Sequence, residues 1–319
     1  MVERMGFFSK TKKTVGWLSI NIQDDGVYVA HVIRRPAARP QVAMVGFFRT
    51  DRAQALALEK LVKVGHADRY SCTNVLNSGE YQLLSVEAPN VPQEELKTAI
   101  RWRLKDLLDF HVNDATIDVM DVPGDKNAPE RKGVMYVVAA HQQLIKQRQT
   151  LFEEAGIPLS VIDIPEMAQR NISVLLEPDG RAVALLSFDA KGGLLTITFA
   201  GELYLSRRIE VTLAQLLSGD AEYRNACYDR TTLELQRSFD HFDRQYQFIS
   251  VAKLVLAPMD DGGAGLREYL ATNLYMPVES LDLQAVFDLS GVTQLQTMHE
   301  QQLYFMTLGA ALRQEVTTL

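Results

Sequence analysis

Trp17-Leu-Ser-Ile-Asn-Ile-Gln-Asp-Asp-Gly-Val-Tyr-Val-Ala-His-Val32 reads as two β-rich runs joined by Asp24-Asp25-Gly26, a triplet with the chemistry of a tight hairpin turn. A second stretch repeats the layout: Ala182-Val-Ala-Leu-Leu-Ser-Phe-Asp-Ala-Lys-Gly-Gly-Leu-Leu-Thr-Ile-Thr-Phe-Ala-Gly-Glu-Leu-Tyr-Leu205 bends at Lys191-Gly192-Gly193 and again at Ala200-Gly201. The two lie about half the chain apart. Each therefore reads as the opening meander of one half of a duplicated α/β molecule.

Working outward, the block between the meanders has a pattern of its own. Leu83-Leu-Ser-Val86 reads as a strand, and the run from Pro92 to Phe110 carries Leu96, Ile100, Leu104, Leu107 and Leu108 on one helical face. A strand is expected near Thr116–Val122, then a polar loop over 123–133, a buried strand from Val134 to Ala140 and a helix from Gln142 to Ala155 closed by Gly156 and Pro158. Beyond the second meander, Ser218–Arg230 reads as irregular, Thr231–Phe248 as an amphipathic helix (Leu233, Leu235, Phe239, Phe242, Tyr246), and about Thr293–Val316 as a final helix. The expected organisation is a tail over 1–14, a first lobe over 15–83 completed by 158–180 and the last helix, an inserted subdomain over 84–157, and a second lobe over 181–319 with a helical insertion at about 205–250.

Composition narrows the function classes. The 319 residues carry 33 Lys+Arg against 40 Asp+Glu, a net charge of −7, which supplies no general field for holding a polyanion such as nucleic acid. The two cysteines, Cys72 and Cys227, fit neither a disulfide framework nor a paired metal spacing, and a reducing, cytoplasmic compartment is expected. No window reaches the ~18 apolar residues of a membrane span. Arg4, Lys10, Lys12 and Lys13 beside Met5, Phe7 and Phe8 leave two readings of the tail, a solvated end or a weak contact with an anionic membrane surface. Nucleophile elbows, Walker-type Gly-Lys-Ser/Thr loops and His-Glu-x-x-His helices are all missing from the sequence, so no catalytic residue and no metal site is assigned.

The stretch from Val86-Glu-Ala-Pro-Asn-Val-Pro-Gln-Glu-Glu-Leu to Arg101-Trp-Arg-Leu-Lys-Asp-Leu-Leu-Asp-Phe110 resembles the inserted subdomain of the PilM family of type IV pilus assembly proteins, most closely its MSHA-pilus members. Ala155-Gly-Ile-Pro158, Thr196–Leu203, Glu234-Leu-Gln-Arg-Ser-Phe239, Gly262-Gly-Ala-Gly-Leu266 and Leu308-Gly-Ala-Ala-Leu-Arg313 resemble further landmarks in the same order. The resemblance implies an α/β, actin-like ATPase fold of two RNase-H-like lobes. It also implies a cytoplasmic protein, peripheral to the inner membrane, that binds the N-terminal peptide of a PilN-like inner-membrane protein between the first lobe and the inserted subdomain. Nucleotide, ATP with Mg²⁺, would sit between the lobes, and self-association is a property of other actin-like folds. The cytoplasmic component of a type II secretion platform is similar in role.

An actin-like ATPase wraps phosphate with two hairpin loops, where small residues let backbone N–H groups approach. The first runs Asn21-Ile-Gln-Asp-Asp-Gly26, with Asn21, Asp24, Asp25 and Gly26 as candidates, where the resemblance expects an acid at 21, a glycine at 23 and serines after it; two added carboxylates repel a triphosphate by ~1 kcal/mol or more each unless they ligate Mg²⁺. The second places Ser187 at the strand acid and Asp189, Lys191, Gly192 and Gly193 at the turn, with Lys191 a possible point charge for phosphate. On the adenosine side the candidates are Gly262, Gly263 and Gly265, which open a helix after a strand, and Glu234 with Arg237, which equally suit a surface ion pair. Two functions follow: a scaffold with a degenerate nucleotide site, or an ATP-dependent switch. For the partner groove the candidates are Arg101, Trp102, Leu107 and Phe110, because Trp102 points away from the Leu96–Ile100–Leu104 stripe.

Overall fold

The computed structural model describes residues 14–50, 54–124, 133–260 and 263–314, so the basic tail and Gly262 lie outside the described residues. The first meander is β1 (Trp17–Ile22), β2 (Gly26–Ile33) and β3 (Gln41–Arg49), followed by α1 (Gln54–Gly65) and β4 (Ser71–Val75). The inserted block is β5 (Tyr81–Glu87), α2 (Gln93–Leu104), β6 (Ala115–Val122), β7 (Val134–His141) and α3 (Gln142–Glu154); β8 (Leu159–Asp163) and α4 (Pro165–Ser173) then lead to the second meander. That is β9 (Ala182–Phe188), β10 (Gly193–Phe199) and β11 (Glu202–Ile209), with α5 (Leu213–Leu216), α6 (Ala221–Gln245), β12 (Val251–Leu256), α7 (Gly263–Asn273), β13 (Val278–Ser280) and α8 (Met298–Ala311) completing the chain.

The duplication expected from the two hairpins is visible in the topology. One sheet runs β3-β2-β1-β4-β8 and another β11-β10-β9-β12-β13. In both, an antiparallel meander is extended on its first strand by two parallel strands. Period-two alternation places Leu18, Ile20 and Ile22 of β1 in a core with α1 and Phe152 of α3. Every residue of β9 is buried, which explains its continuous apolar run. Helices α4 and α8 cross between the lobes, where a Cβ on Gly309 would lie 2.2 Å from the Ala168 carbonyl oxygen, so only glycine permits the approach.

The inserted block forms a third sheet, β5-β7-β6. Ile100 and Leu104 of α2 pack on Val86, Met135 and Val137 on one face of this sheet. Tyr136, Leu83, Met120 and Val134 face the second lobe.

Three helices differ from the sequence expectation at their boundaries. Helix α6 starts at Ala221 rather than Thr231, because the Asp220 side chain caps it by accepting from the backbone N–H groups of Glu222 and Tyr223. Helix α2 ends at Leu104, and 105–110 continues in turns. Helix α8 starts at Met298 under a reciprocal Thr297–Glu300 capping box. Residues 205–209 belong to β11 rather than to a helical insertion.

Candidate functional site

The β1–β2 and β9–β10 hairpins, one from each lobe, face a shared cavity of about 400 Å³. Asn21, Gln23, Asp24, Asp25, Asp189 and Lys191 supply its polar side; Leu76, Phe188, Pro258, Phe305 and Met306 are among its apolar walls. The sequence candidates of both phosphate loops are thus brought to one place, apart from the glycines: Gly26, Gly192 and Gly193 shape the hairpins rather than line the space. Gly26 needs to lack a side chain because a Cβ would meet the Phe47 ring at 2.5 Å and the Phe48 carbonyl at 2.7 Å.

The first hairpin is tight, with the Gln23 N–H donating to the Gly26 carbonyl at 2.8 Å. Asp25 accepts the Tyr28 hydroxyl at 2.7 Å. Burial first, and this bond to Asp25 second, hold the Tyr28 phenol above its ordinary pKa. Asn21, which stands where the strand acid was expected, is 5% exposed, and its side-chain carbonyl has no hydrogen-bond partner among the described residues.

The second hairpin is filled from within. The Asp189 carboxylate accepts the backbone N–H of Lys191 at 2.7 Å and of Gly192 at 3.0 Å, while the Asp189 N–H donates to the Gly192 carbonyl at 2.9 Å. Two amide donors of the kind a phosphate-binding loop aims at its ligand are therefore already bound to an internal carboxylate. Gly192 takes φ 144°, and a Cβ there would lie 2.7 Å from the Ile209 carbonyl oxygen. Lys191 extends away from the hairpin and donates from Nζ to the Ser78 carbonyl at 3.0 Å, bridging the two lobes. Ser187 donates to Gln169 Oε1 at 2.6 Å, and Gln169 in turn donates to the Leu185 and Leu194 carbonyls and to Thr196 Oγ1. The position at which a metal-positioning acid was expected is thus tied into a buried amide network on α4.

The turn that Lys191 reaches is a junction of several elements. Asn77 Nδ2 donates to the Ile22 carbonyl of the first hairpin strand at 3.1 Å. Glu80 pairs with Arg148 of α3 at 2.9 Å. Tyr81 donates to the 2%-exposed Glu166 of α4 at 2.5 Å, and Arg208 of β11 donates to Glu166 at 3.0 Å. Sequence reading found none of these residues. They come from four separate segments, each individually ordinary, and no local spacing marks them.

The adenosine-side candidates fall elsewhere. Neither Gly263 nor Gly265 is among the described residues lining the cavity, which on that side is bounded by Ala257 and Pro258. A Cβ on Gly265 would meet the Tyr228 hydroxyl at 3.1 Å, so this glycine serves the packing of α7 on α6. Glu234 and Arg237 form an i,i+3 ion pair at 2.8 Å on the outer face of α6. Among the partner candidates, Arg101 donates to the Val112 and Ala115 carbonyls and so staples α2 to the start of β6. Trp102 is 74% and Leu107 52% exposed, and Phe110 stacks on His141 with ring centroids 3.8 Å apart. The inserted sheet meets the first lobe at an apolar cluster of Leu76, Ala140 and Ile164, with half-buried Met120, Leu144, Ile145 and Ile162 around it. Strand β8, which carries Ile162, closes the first sheet on that side.

No family model matches the chain, and no curated protein matches it by sequence. Among solved structures it is similar to a chain of a PilM-PilN type IV pilus biogenesis complex, at 19% identity and a TM-score of 0.70, covering 93% of this chain and 98% of that one. It is less similar to the cytoplasmic domain of EpsL, an inner-membrane component of the Vibrio cholerae type II secretion system (14% identity, TM-score 0.48, 91% and 93% covered). A Bacteroides thetaiotaomicron protein of actin-like ATPase fold and unknown function stands at 12% identity and TM-score 0.49, with 95% and 99% covered. Twin meander sheets, crossing helices between them and an inserted three-stranded sheet give this chain an actin-like ATPase fold, and nearly its full length matches the chain of the PilM-PilN structure.

Proposed function

We propose that this protein is a scaffold of a type IV pilus assembly machine of the MSHA type, the counterpart of MshI, and that it binds the cytoplasmic N-terminal peptide of a PilN-like inner-membrane protein. The observation that carries the scaffold reading is the second hairpin, whose amides are held by Asp189 rather than left for phosphate. In this reading the nucleotide site is degenerate, and the chain is held at the inner membrane through its partner rather than by a span of its own. Among the described residues no helix is long and apolar enough to cross a membrane.

The partner reading draws on the full-length likeness to a chain solved in a PilM-PilN complex. The surface offered for it is the junction of the first lobe and the inserted subdomain. There an extended apolar peptide can lie beside β8, with Leu144, Ile145, Ile162 and Met120 as its pockets and Phe110 at the rim. Calorimetric titration of the full chain with the N-terminal cytoplasmic peptide of a PilN-like protein from the same organism tests this. Binding that Ile145→Lys weakens at least about tenfold is expected. Binding that Trp102→Ala abolishes and Ile145→Lys spares would move the groove to the outer face of α2, and the absence of binding would overturn the partner reading.

A further inference from the structure

A second cavity, of about 420 Å³, lies on the other side of the Ser78–Gly79 turn from the interlobe cleft. Strand β5 and Tyr136 of the inserted sheet form one wall, β11 and α6 of the second lobe the other. Its polar groups are unlike those of the cleft. Arg207 and Arg208 reach it from β11, and His241 and Gln245 from α6; one carboxylate, that of Glu166, also lines it but is paired with Arg208.

Arg208 is fixed before any ligand arrives. A single Nη2 holds it to the Tyr81 hydroxyl and to Glu166, so the rest of its guanidinium fork remains for the cavity. The Arg207 side chain has no ion pair or hydrogen bond to any described residue, although it belongs to a chain with an excess of acids. The outer edge of β11, beyond which no described strand pairs, is capped here by Tyr136, whose hydroxyl bridges the Tyr204 carbonyl and the Ser206 N–H and so ties the two walls together. A pre-oriented guanidinium, a second free one and an imidazole around a space of this size match the geometry of carboxylate or phosphate oxygens.

We propose that this junction cavity is a binding site for a small anion-bearing molecule, recognised through a carboxylate or phosphate group by Arg207, Arg208 and His241. Its ligand bridges the second lobe and the inserted subdomain, one turn away from the interlobe cleft. The inference needs neither the partner nor the nucleotide reading.

Titration of the full chain at low salt with inorganic phosphate in one arm and succinate in the other, followed by calorimetry and by amide and side-chain NMR shifts, tests it. Binding in either arm is expected, with shifts at β11 and α6, and the arm that binds identifies the group. Arg207→Ala and His241→Ala, both surface changes that leave the Glu166 pair intact, are each expected to weaken it about tenfold. The proposal is overturned if neither anion binds at millimolar concentration, or if both variants bind as the wild type does.

Discussion

If the Asp189 carboxylate occupies the phosphate position of the second hairpin, removing it should create a phosphate site. In Asp189→Ala the N–H groups of Lys191 and Gly192, now bound at 2.7 and 3.0 Å, are released toward the cavity. One negative charge also leaves. At about 4 Å in water-like surroundings that charge repels each phosphate charge by ~1 kcal/mol, or ~2 kcal/mol for a dianion. Two amide donors to a charged acceptor in a solvent-exposed turn add about 1 kcal/mol each after exchange with water. The sum, about 4 kcal/mol, is an upper figure because Asp24 and Asp25 remain opposite; about 2–3 kcal/mol, a gain of roughly 30- to 150-fold, is expected. Loss of the turn cap lowers stability by about 1 kcal/mol. Calorimetric titration with magnesium pyrophosphate on both proteins reads the difference. Equal affinities, or tighter binding by the wild type, would refute the idea that Asp189 blocks the hairpin.

Arg208→Ala should cost about 2–4 kcal/mol in urea unfolding, since it leaves the buried Glu166 with only the Tyr81 hydroxyl; Glu166→Gln, which removes the charge needing a partner, should cost clearly less. Gly309→Ala should destabilise by more than ~1 kcal/mol despite alanine's better helix propensity, because its Cβ would press on the Ala168 carbonyl at 2.2 Å; a neutral or stabilising result would contradict the α4–α8 crossing. Asp163, buried against Arg313 at 2.8 Å, has its pKa raised, first by burial, with Arg313 opposing. A raised acid favours the folded state most below its unfolded value of 3.8, and that contribution is lost as pH rises through the folded value. The stability of wild type minus that of Asp163→Asn should therefore fall as pH rises above 3.8, and a difference that rises instead would contradict the assignment.

The lobes were legible because their signal is local. Asp24-Asp25-Gly26 and Lys191-Gly192-Gly193 are hairpin chemistry set between β-rich runs, and both emerge as the first turn of a sheet with the same strand order. The start of α8 carried an equally local signal in Thr297-x-x-Glu300, whereas apolar spacing alone extended the helix several residues too far at each end. For α6 the polar first two turns hid the helix, and Asp220 was the cap that marked it. The site divides the same way. That Asp189 and Lys191 belong to one turn is a matter of two residues in sequence. That the carboxylate folds back on its own amides while the lysine crosses to Ser78, 113 residues away, depends on how the lobes close. Tyr81, Glu166 and Arg208 have no mutual spacing that a sequence could display, because three separate elements bring them together.

The most direct test of the scaffold account is the affinity of the full chain for the N-terminal peptide of the proposed PilN-like partner, measured by calorimetry with and without millimolar MgATP. With the phosphate hairpin filled by Asp189, the account predicts the same peptide affinity in both conditions and no heat from MgATP alone. Nucleotide that binds and shifts peptide affinity by tenfold or more, a coupling of about 1.4 kcal/mol, would contradict it and make the protein an ATP-dependent switch.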